Sequence, residues 1–124
     1  MKGIADSTGA VAAPLEPSAP RTVCDEKTAK ILRSMLVSVV TEGIGAEARP
    51  AAGMAGGKTG TAQTGQYDEN GEELLNYWFS GFYPAQAPSY TVTVLQDGIL
   101  KPELSSAAIF EKITEILHVW DAAL

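Results

Sequence analysis

Two apolar stripes at helical spacing, one on each side of a strand-rich centre, constrain this chain more than any other feature. From about Thr28 to Glu42, Ile31, Leu32, Met35, Leu36, Val39 and Val40 recur every three or four residues and form one broad face. Asp25 and Glu26 lie where the dipole of such a helix favours negative charge, and Gly43 and Gly45 follow its end. From about Ser105 to Asp121 the pattern returns in Ile109, Ile113, Ile116, Leu117 and Trp120, with Phe110 beside the stripe and Ser105 or Ser106 placed to cap it. Neither helix can bury such a face alone, so both must pack on the segment between them or on something outside the chain. That segment reads as strands. "SYTVTVLQDG" alternates, with Tyr90, Val92 and Val94 on one face and Thr91, Thr93 and Leu95 on the other. "LLNYWFSGFYP" is aromatic and closed by Pro84. Lys58 to Gln63 supplies a third strand, joined to the second through "TGQYDENGEEL". The predicted fold class is α+β: a three-strand antiparallel meander with flanking helices. Residues 1–23 are set apart as an extended or hairpin segment. Asp6-Ser7-Thr8-Gly9 marks its turn, and Pro14, Pro17 and Pro20 restrict the rest of the segment to edge or extended chain.

Composition narrows the function classes. A chain of 124 residues with 45% hydrophobic and 19% charged residues is globular, and is one domain or part of one. A formal net charge of −6 without a basic cluster argues against nucleic acid as a partner. Cys24 is the only cysteine, so the chain has no internal disulfide and no cysteine metal site. Followed by Asp25 and Glu26, it lacks the basic surroundings of a reactive thiol and reads as a passive side chain near a helix start. His118 has no metal-spaced partner and reads as a surface or edge residue. No cofactor or metal is expected. No run approaches the ~18 apolar residues of a membrane span, and no signal-peptide pattern opens the sequence, so the chain itself is expected to be soluble.

The least ordinary stretch is "GMAGGKTGTAQTG", residues 53–65, with five glycines and three threonines around Lys58. Gly57-Lys58-Thr59 matches the end of a phosphate-binding P-loop, but that motif needs a glycine where Ala52 stands. Gly53 is one residue too close. No apolar strand precedes the loop, and Gly65, Asp68, Asn70 and Gly71 downstream suit a turn instead of a helix. The nucleotide reading is therefore set aside.

The element order, with "GGKTGTAQ" on the first strand of the meander, resembles the C-terminal part of penicillin-binding protein transpeptidase domains. It is most similar to the class B kind within the β-lactamase/transpeptidase-like superfamily. Three motifs mark this family: Ser-x-x-Lys, Ser-Asp-Asn and Lys-Thr-Gly. The last is present as Lys58-Thr59-Gly60, extended by Thr61-Ala62-Gln63. "TAKILRSMLVSVVTEGIG" resembles the preceding helix, with Ile44 where the family often has threonine. "YWFSGFYPAQAPSYTVTVLQDG" resembles the next two strands, and "SSAAIFEKITEIL" the closing helix. The likeness covers about residues 22–118. No serine here has a lysine three residues on, and none begins Ser-x-Asn.

The resemblance implies that residues 24–124 are the C-terminal portion of a transpeptidase domain. The parent enzyme would acylate itself on D-Ala-D-Ala stem peptides and on β-lactams. Lys58 would serve the proton network of the reaction centre, and the hydroxyls of Thr59 and Thr61 would hold the substrate carboxylate. The Thr61 N–H would be one oxyanion donor, and Gly60 would let substrate backbone lie against the strand edge. The parent would be membrane-anchored and extracytoplasmic in the bacterial envelope. This chain alone is expected to be inactive, to need the missing N-terminal part of its domain, and to self-associate. The alternative is a non-catalytic module that binds a peptide or cell-wall fragment along its strand edge.

Overall fold

Three antiparallel strands carry the structure: β3 (Gly56–Tyr67), β4 (Glu73–Tyr83) and β5 (Tyr90–Ile99), hydrogen-bonded in the order β3-β4-β5. They are preceded by β1 (Gly3–Ala5), β2 (Val11–Pro14) and α1 (Glu26–Thr41), and followed by α2 (Ser106–Asp121). The computed structural model describes residues 3–5, 8, 10–14, 19 and 21–123. The predicted α+β meander with flanking helices is the architecture found. β1 and β2 pair antiparallel, Gly3 opposite Pro14, as a separate two-stranded sheet. Thr8 sits in a turn; Asp6, Ser7, Gly9, Pro17 and Pro20 lie outside the described residues.

Helix α1 starts where the Asp25 carboxylate accepts the Thr28 N–H at 2.6 Å, a side-chain cap for an otherwise unpaired helix donor. That bond holds the Asp25 carboxyl below its ordinary range. The helix ends at Thr41, and the Gly45 N–H turns back to the Val39 carbonyl at 3.0 Å. A short 3-10 turn over Ala46–Ala48 then carries the chain to β3. The apolar stripe of α1 is only partly core. Val40 is buried, whereas Ile31, Leu32 and Met35 remain at least half exposed.

The β3–β4 hairpin is longer than the sequence pattern indicates. β3 continues past Gln63 to Tyr67 because an irregularity in the ladder absorbs Gly65, which has φ +69°. Side chains replace the interrupted ladder bonds: Thr64 Oγ1 donates to the Leu74 carbonyl at 2.5 Å, and the Glu73 carboxylate accepts from Gly65 N–H at 3.1 Å and Gln63 Nε2 at 2.8 Å. The connection itself is Asp68–Glu72. The Asp68 carboxylate accepts the N–H groups of Asn70 (2.9 Å) and Glu72 (2.8 Å), which lowers its pKa, the Glu72 bond most strongly.

Because side chains alternate along strands, the register defines two faces. One carries Gly57 and Thr59 of β3, Phe79, Gly81 and Tyr83 of β4, and Tyr90, Val92 and Val94 of β5. This is the core face. Phe79 stacks at 4.7 Å and 51° on Phe110 of α2, both fully buried, with Val40, Ala48, Ala55 and Ala107 around them. The predicted alternation of β5 holds, since Tyr90, Val92 and Val94 pack against this cluster.

The stripe predicted for α2 is partly rotated: Leu117 packs against the core cluster and Ile109 and Ile113 are half-buried. The buried line of the helix runs through Ser106, Ala107, Phe110 and Thr114, while Ile116 (66%) and Trp120 (64%) are mostly exposed. Thr114 can be fully buried because its hydroxyl donates to the Glu111 carbonyl at 2.7 Å. Two tyrosines tether the end of α2 to the sheet. Tyr83 OH lies 3.1 Å from both the Ala52 carbonyl and His118 Nδ1, and Tyr90 OH donates to Asp121 at 2.5 Å. Burial and then the Asp121 charge push the Tyr83 hydroxyl pKa up; the bond to Asp121 raises that of Tyr90. No described helix is long and apolar enough to cross a membrane.

Candidate functional site

The strand that carries the lysine is fixed by glycines. A Cβ added at Gly57 would lie 2.6 Å from the Phe79 ring and 2.8 Å from the Ser80 carbonyl, and one at Gly81 would lie 2.7 Å from the Gly56 carbonyl and 2.9 Å from Phe110. Bare backbone at these points lets the core rings press directly on β3 and β4. The next residue, Lys58, leaves on the opposite face and is exposed. Its ammonium donates to the Thr59 carbonyl at 2.7 Å and to Thr59 Oγ1 at 3.1 Å.

Beyond Lys58, β3 pairs only with β4, so its outer edge is open among the described residues. Thr59, Gly60 and Thr61 line one cleft along that edge, together with Ile44, Glu47 and Tyr77. A Cβ at Gly60 would meet nothing closer than Trp78 Cβ at 3.5 Å, an ordinary contact. Packing among the described residues therefore does not demand glycine at position 60. The four residues singled out in the sequence, Lys58, Thr59, Gly60 and Thr61, thus fall on one open edge strand.

The wall opposite is the start of α2. Ser105 Oγ caps that helix by accepting from the Ala108 N–H at 3.1 Å, and it donates to the Glu47 carboxylate. Ser106 Oγ donates to the Tyr77 carbonyl at 2.8 Å and accepts from Gln96 Nε2 at 2.9 Å, which ties the helix to β4 and β5. Glu47 gave no sequence signal, because it joins the cleft only through the short 3-10 turn between α1 and β3. Ser80 and Thr93 were equally silent. Their hydroxyls lie 2.9 Å apart on the Lys58 face, and only strand register shows it.

Cys24 is exposed and free, and His118 bonds to Tyr83 instead of joining the lysine strand. Among the described residues no cluster of His, Cys, Asp and Glu could hold a metal.

Solved structures share the fold. The chain is similar in fold to a peptidoglycan synthetase from Bifidobacterium adolescentis, with a TM-score of 0.74 over 99% of this chain and 23% of that one, at 19% identity. It is similar also to penicillin-binding protein 3 from Mycobacterium tuberculosis, with a TM-score of 0.70, 26% identity, and coverage of 98% and 30%. That protein has been solved in complexes with aztreonam and with ampicillin. Residues 4–115 match the family model described as the penicillin binding protein transpeptidase domain, and the chain belongs to that family. A curated relative is stage V sporulation protein D of Bacillus subtilis (strain 168), 44% identical over 84 residues. The match covers 65% of this chain and 12% of that protein, so the chain spans only a small part of its relative's length.

Proposed function

We propose that this chain supplies the lysine–threonine–glycine strand of the reaction centre in a peptidoglycan D,D-transpeptidase. The observation that carries the reading is the edge of β3, open among the described residues, where Thr59, Gly60 and Thr61 line a cleft and Lys58 is the residue just before them. Acyl transfer from a D-alanyl-D-alanine stem peptide, or opening of a β-lactam, builds negative charge on a carbonyl oxygen and needs the substrate carboxylate held in line. Lys58 supplies positive charge and donors to the proton network. The Thr59 and Thr61 hydroxyls hold the carboxylate, the Thr61 N–H is one oxyanion donor, and Gly60, whose nearest neighbour among the described residues is Trp78 Cβ at 3.5 Å from an added Cβ, leaves room for substrate backbone.

The serine nucleophile comes from the rest of the domain, of which residues 24–124 form the C-terminal portion and residues 1–23 a hairpin-bearing lead-in. The exposed face of the sheet around Lys58, Trp78 and Leu95 receives that missing part. Left without it, the chain associates with itself through the β5 edge, which has no second strand partner among the described residues, or through the helix faces. The parent enzyme is anchored in the membrane and works outside the cytoplasm.

A fluorescent penicillin tests the proposal. The chain alone should take up no covalent label, because a serine attacks a β-lactam only beside an activating base. The full-length enzyme should be labelled, and Lys58→Ala in it should lower acylation by roughly 10² to 10³. Unchanged acylation in that variant refutes the role of the lysine, and a stoichiometric adduct on the chain alone refutes the division of the reaction centre.

A further inference from the structure

The face of the sheet opposite the core carries an unexplained polar row. The register places Lys58 of β3 directly across from Ser80 of β4, and Ser80 directly across from Thr93 of β5. All three project on the same side, and all three are exposed. Ser80 Oγ and Thr93 Oγ1 are 2.9 Å apart, so the two hydroxyls already bond to each other. The rows on either side are different in kind: Gly56, Phe82 and Thr91 on one flank, and Gly60, Trp78 and Leu95 on the other. Two hydroxyls in line with a lysine, between rows that each hold a large apolar side chain, call for a chemical reason.

Hydrogen-bond capacity supplies one. An ammonium has three donors and no acceptor. Two of the donors of Lys58 are directed at the carbonyl and hydroxyl of Thr59. A hydroxyl can accept from one partner while it donates to another. In this structure the ammonium rests on Thr59 and makes no bond to Ser80; swung off Thr59, it has a donor for the Ser80 hydroxyl, which can accept it while passing its own O–H to Thr93. Cβ atoms of directly opposed residues stand about 4.5–5.5 Å apart, and a lysine side chain spans that gap easily. With Ser80 as the donor in its bond to Thr93, the lone pairs of its oxygen are left for a donor from β3.

Resting on the proposed transpeptidase reading, we propose that Ser80 and Thr93 are positioning residues for Lys58. They offer its ammonium a second seat, on the sheet face, in place of the Thr59 contacts it makes in this structure. They touch no substrate and act only through the lysine.

The test uses the full-length enzyme and the acylation rate with a fluorescent penicillin, read across pH. Ser80→Ala should lower the second-order acylation rate about tenfold, the low end for losing a hydrogen bond to a charged group. It should also move the limb of the pH profile that Lys58→Ala abolishes. Ser80→Thr, which keeps the hydroxyl, should restore both. Thr93→Val should give a smaller loss in the same direction. If Lys58→Ala lowers the rate while Ser80→Ala leaves rate and pH profile unchanged, the positioning role is overturned and the reading of the motif survives. If Ser80→Ala loses activity only with its melting temperature, and Ser80→Thr rescues neither, the hydroxyl is merely structural and the proposal again falls. If Lys58→Ala itself has no effect, the reading of the motif fails and the positioning role fails with it.

Discussion

Truncating Phe110 to alanine probes the centre of the fold. The ring is fully buried, stacks 4.7 Å from Phe79, and lies against the bare backbone of Gly81. Removing a buried phenylalanine costs about 3–5 kcal/mol in lost transfer energy and residual cavity. Native domains are stable by only about 5–15 kcal/mol, so this one change removes a large share. With a urea m-value of about 2 kcal/mol per molar, the unfolding midpoint should fall by roughly 2 M. The control is Ile116→Ala on the same helix. Ile116 is 66% exposed, so its truncation should stay within about 0.5 kcal/mol. Urea titrations of the chain monitored by tryptophan fluorescence read both, since Trp78 and Trp120 sit on different elements. Equal losses in the two variants would refute the assignment of the buried face of α2.

The caps, the charges and the free edge give further expected outcomes. Ser105→Ala removes the N-cap of α2 and its tie to Glu47, and should cost about 1 kcal/mol by the same urea titration; no loss would mean that the cap does not hold in solution. Asp25 and Asp68 have folded pKa values below their ordinary ones. Their contribution to stability is thus complete above the ordinary aspartate range and is lost as pH falls through the lowered values. Asp25→Asn keeps a capping side chain without the titration, so its melting temperature should drop less on acidification than that of the unsubstituted chain. Glu111 has the opposite sign: burial first, and then Glu115, raise its pKa, so stability falls as pH rises through the raised value. Glu111→Gln should raise the melting temperature at neutral pH and change it little in acid, and a loss at neutral pH would contradict the assignment. Sedimentation at micromolar concentration should show dimer or larger species, and Thr93→Lys should weaken them if the β5 edge is the contact.

The sequence made the helices and strands visible wherever the signal was local. The α1 periodicity from Thr28 to Glu42 lies within two residues of the observed Glu26–Thr41, and the alternation of β5 identified its core face. The features that stayed hidden depend on partners distant in the chain. The side of α2 that is buried was set by the fit of Phe110 against Phe79 and Gly81, and by Thr114 satisfying its own hydroxyl, not by hydrophobicity counted along the helix. The extra length of β3 was hidden by Gly65, which reads as a turn and is instead an irregularity stitched by Thr64 and Glu73. Lys58 to Thr61 could be singled out because four adjacent residues form a motif. Glu47, Ser80 and Thr93 could not, because a loop path and a strand register bring them close.

The glycines under the core rings bear on how such a segment could be moved or redesigned. Gly57 and Gly81 are where Phe79 and Phe110 rest, and Lys58 is the very next residue after Gly57. The seat of the lysine strand beside β4 is thus tied to the Phe79 ring, which Phe110 of α2 backs in the core. Transplanting residues 56–61 onto another sheet would carry the chemical groups without the spacing that seats them. The portable unit is the strand together with its rings. A designer who fills one of these glycines must thin the ring facing it, or accept a lysine displaced by the thickness of a methyl group.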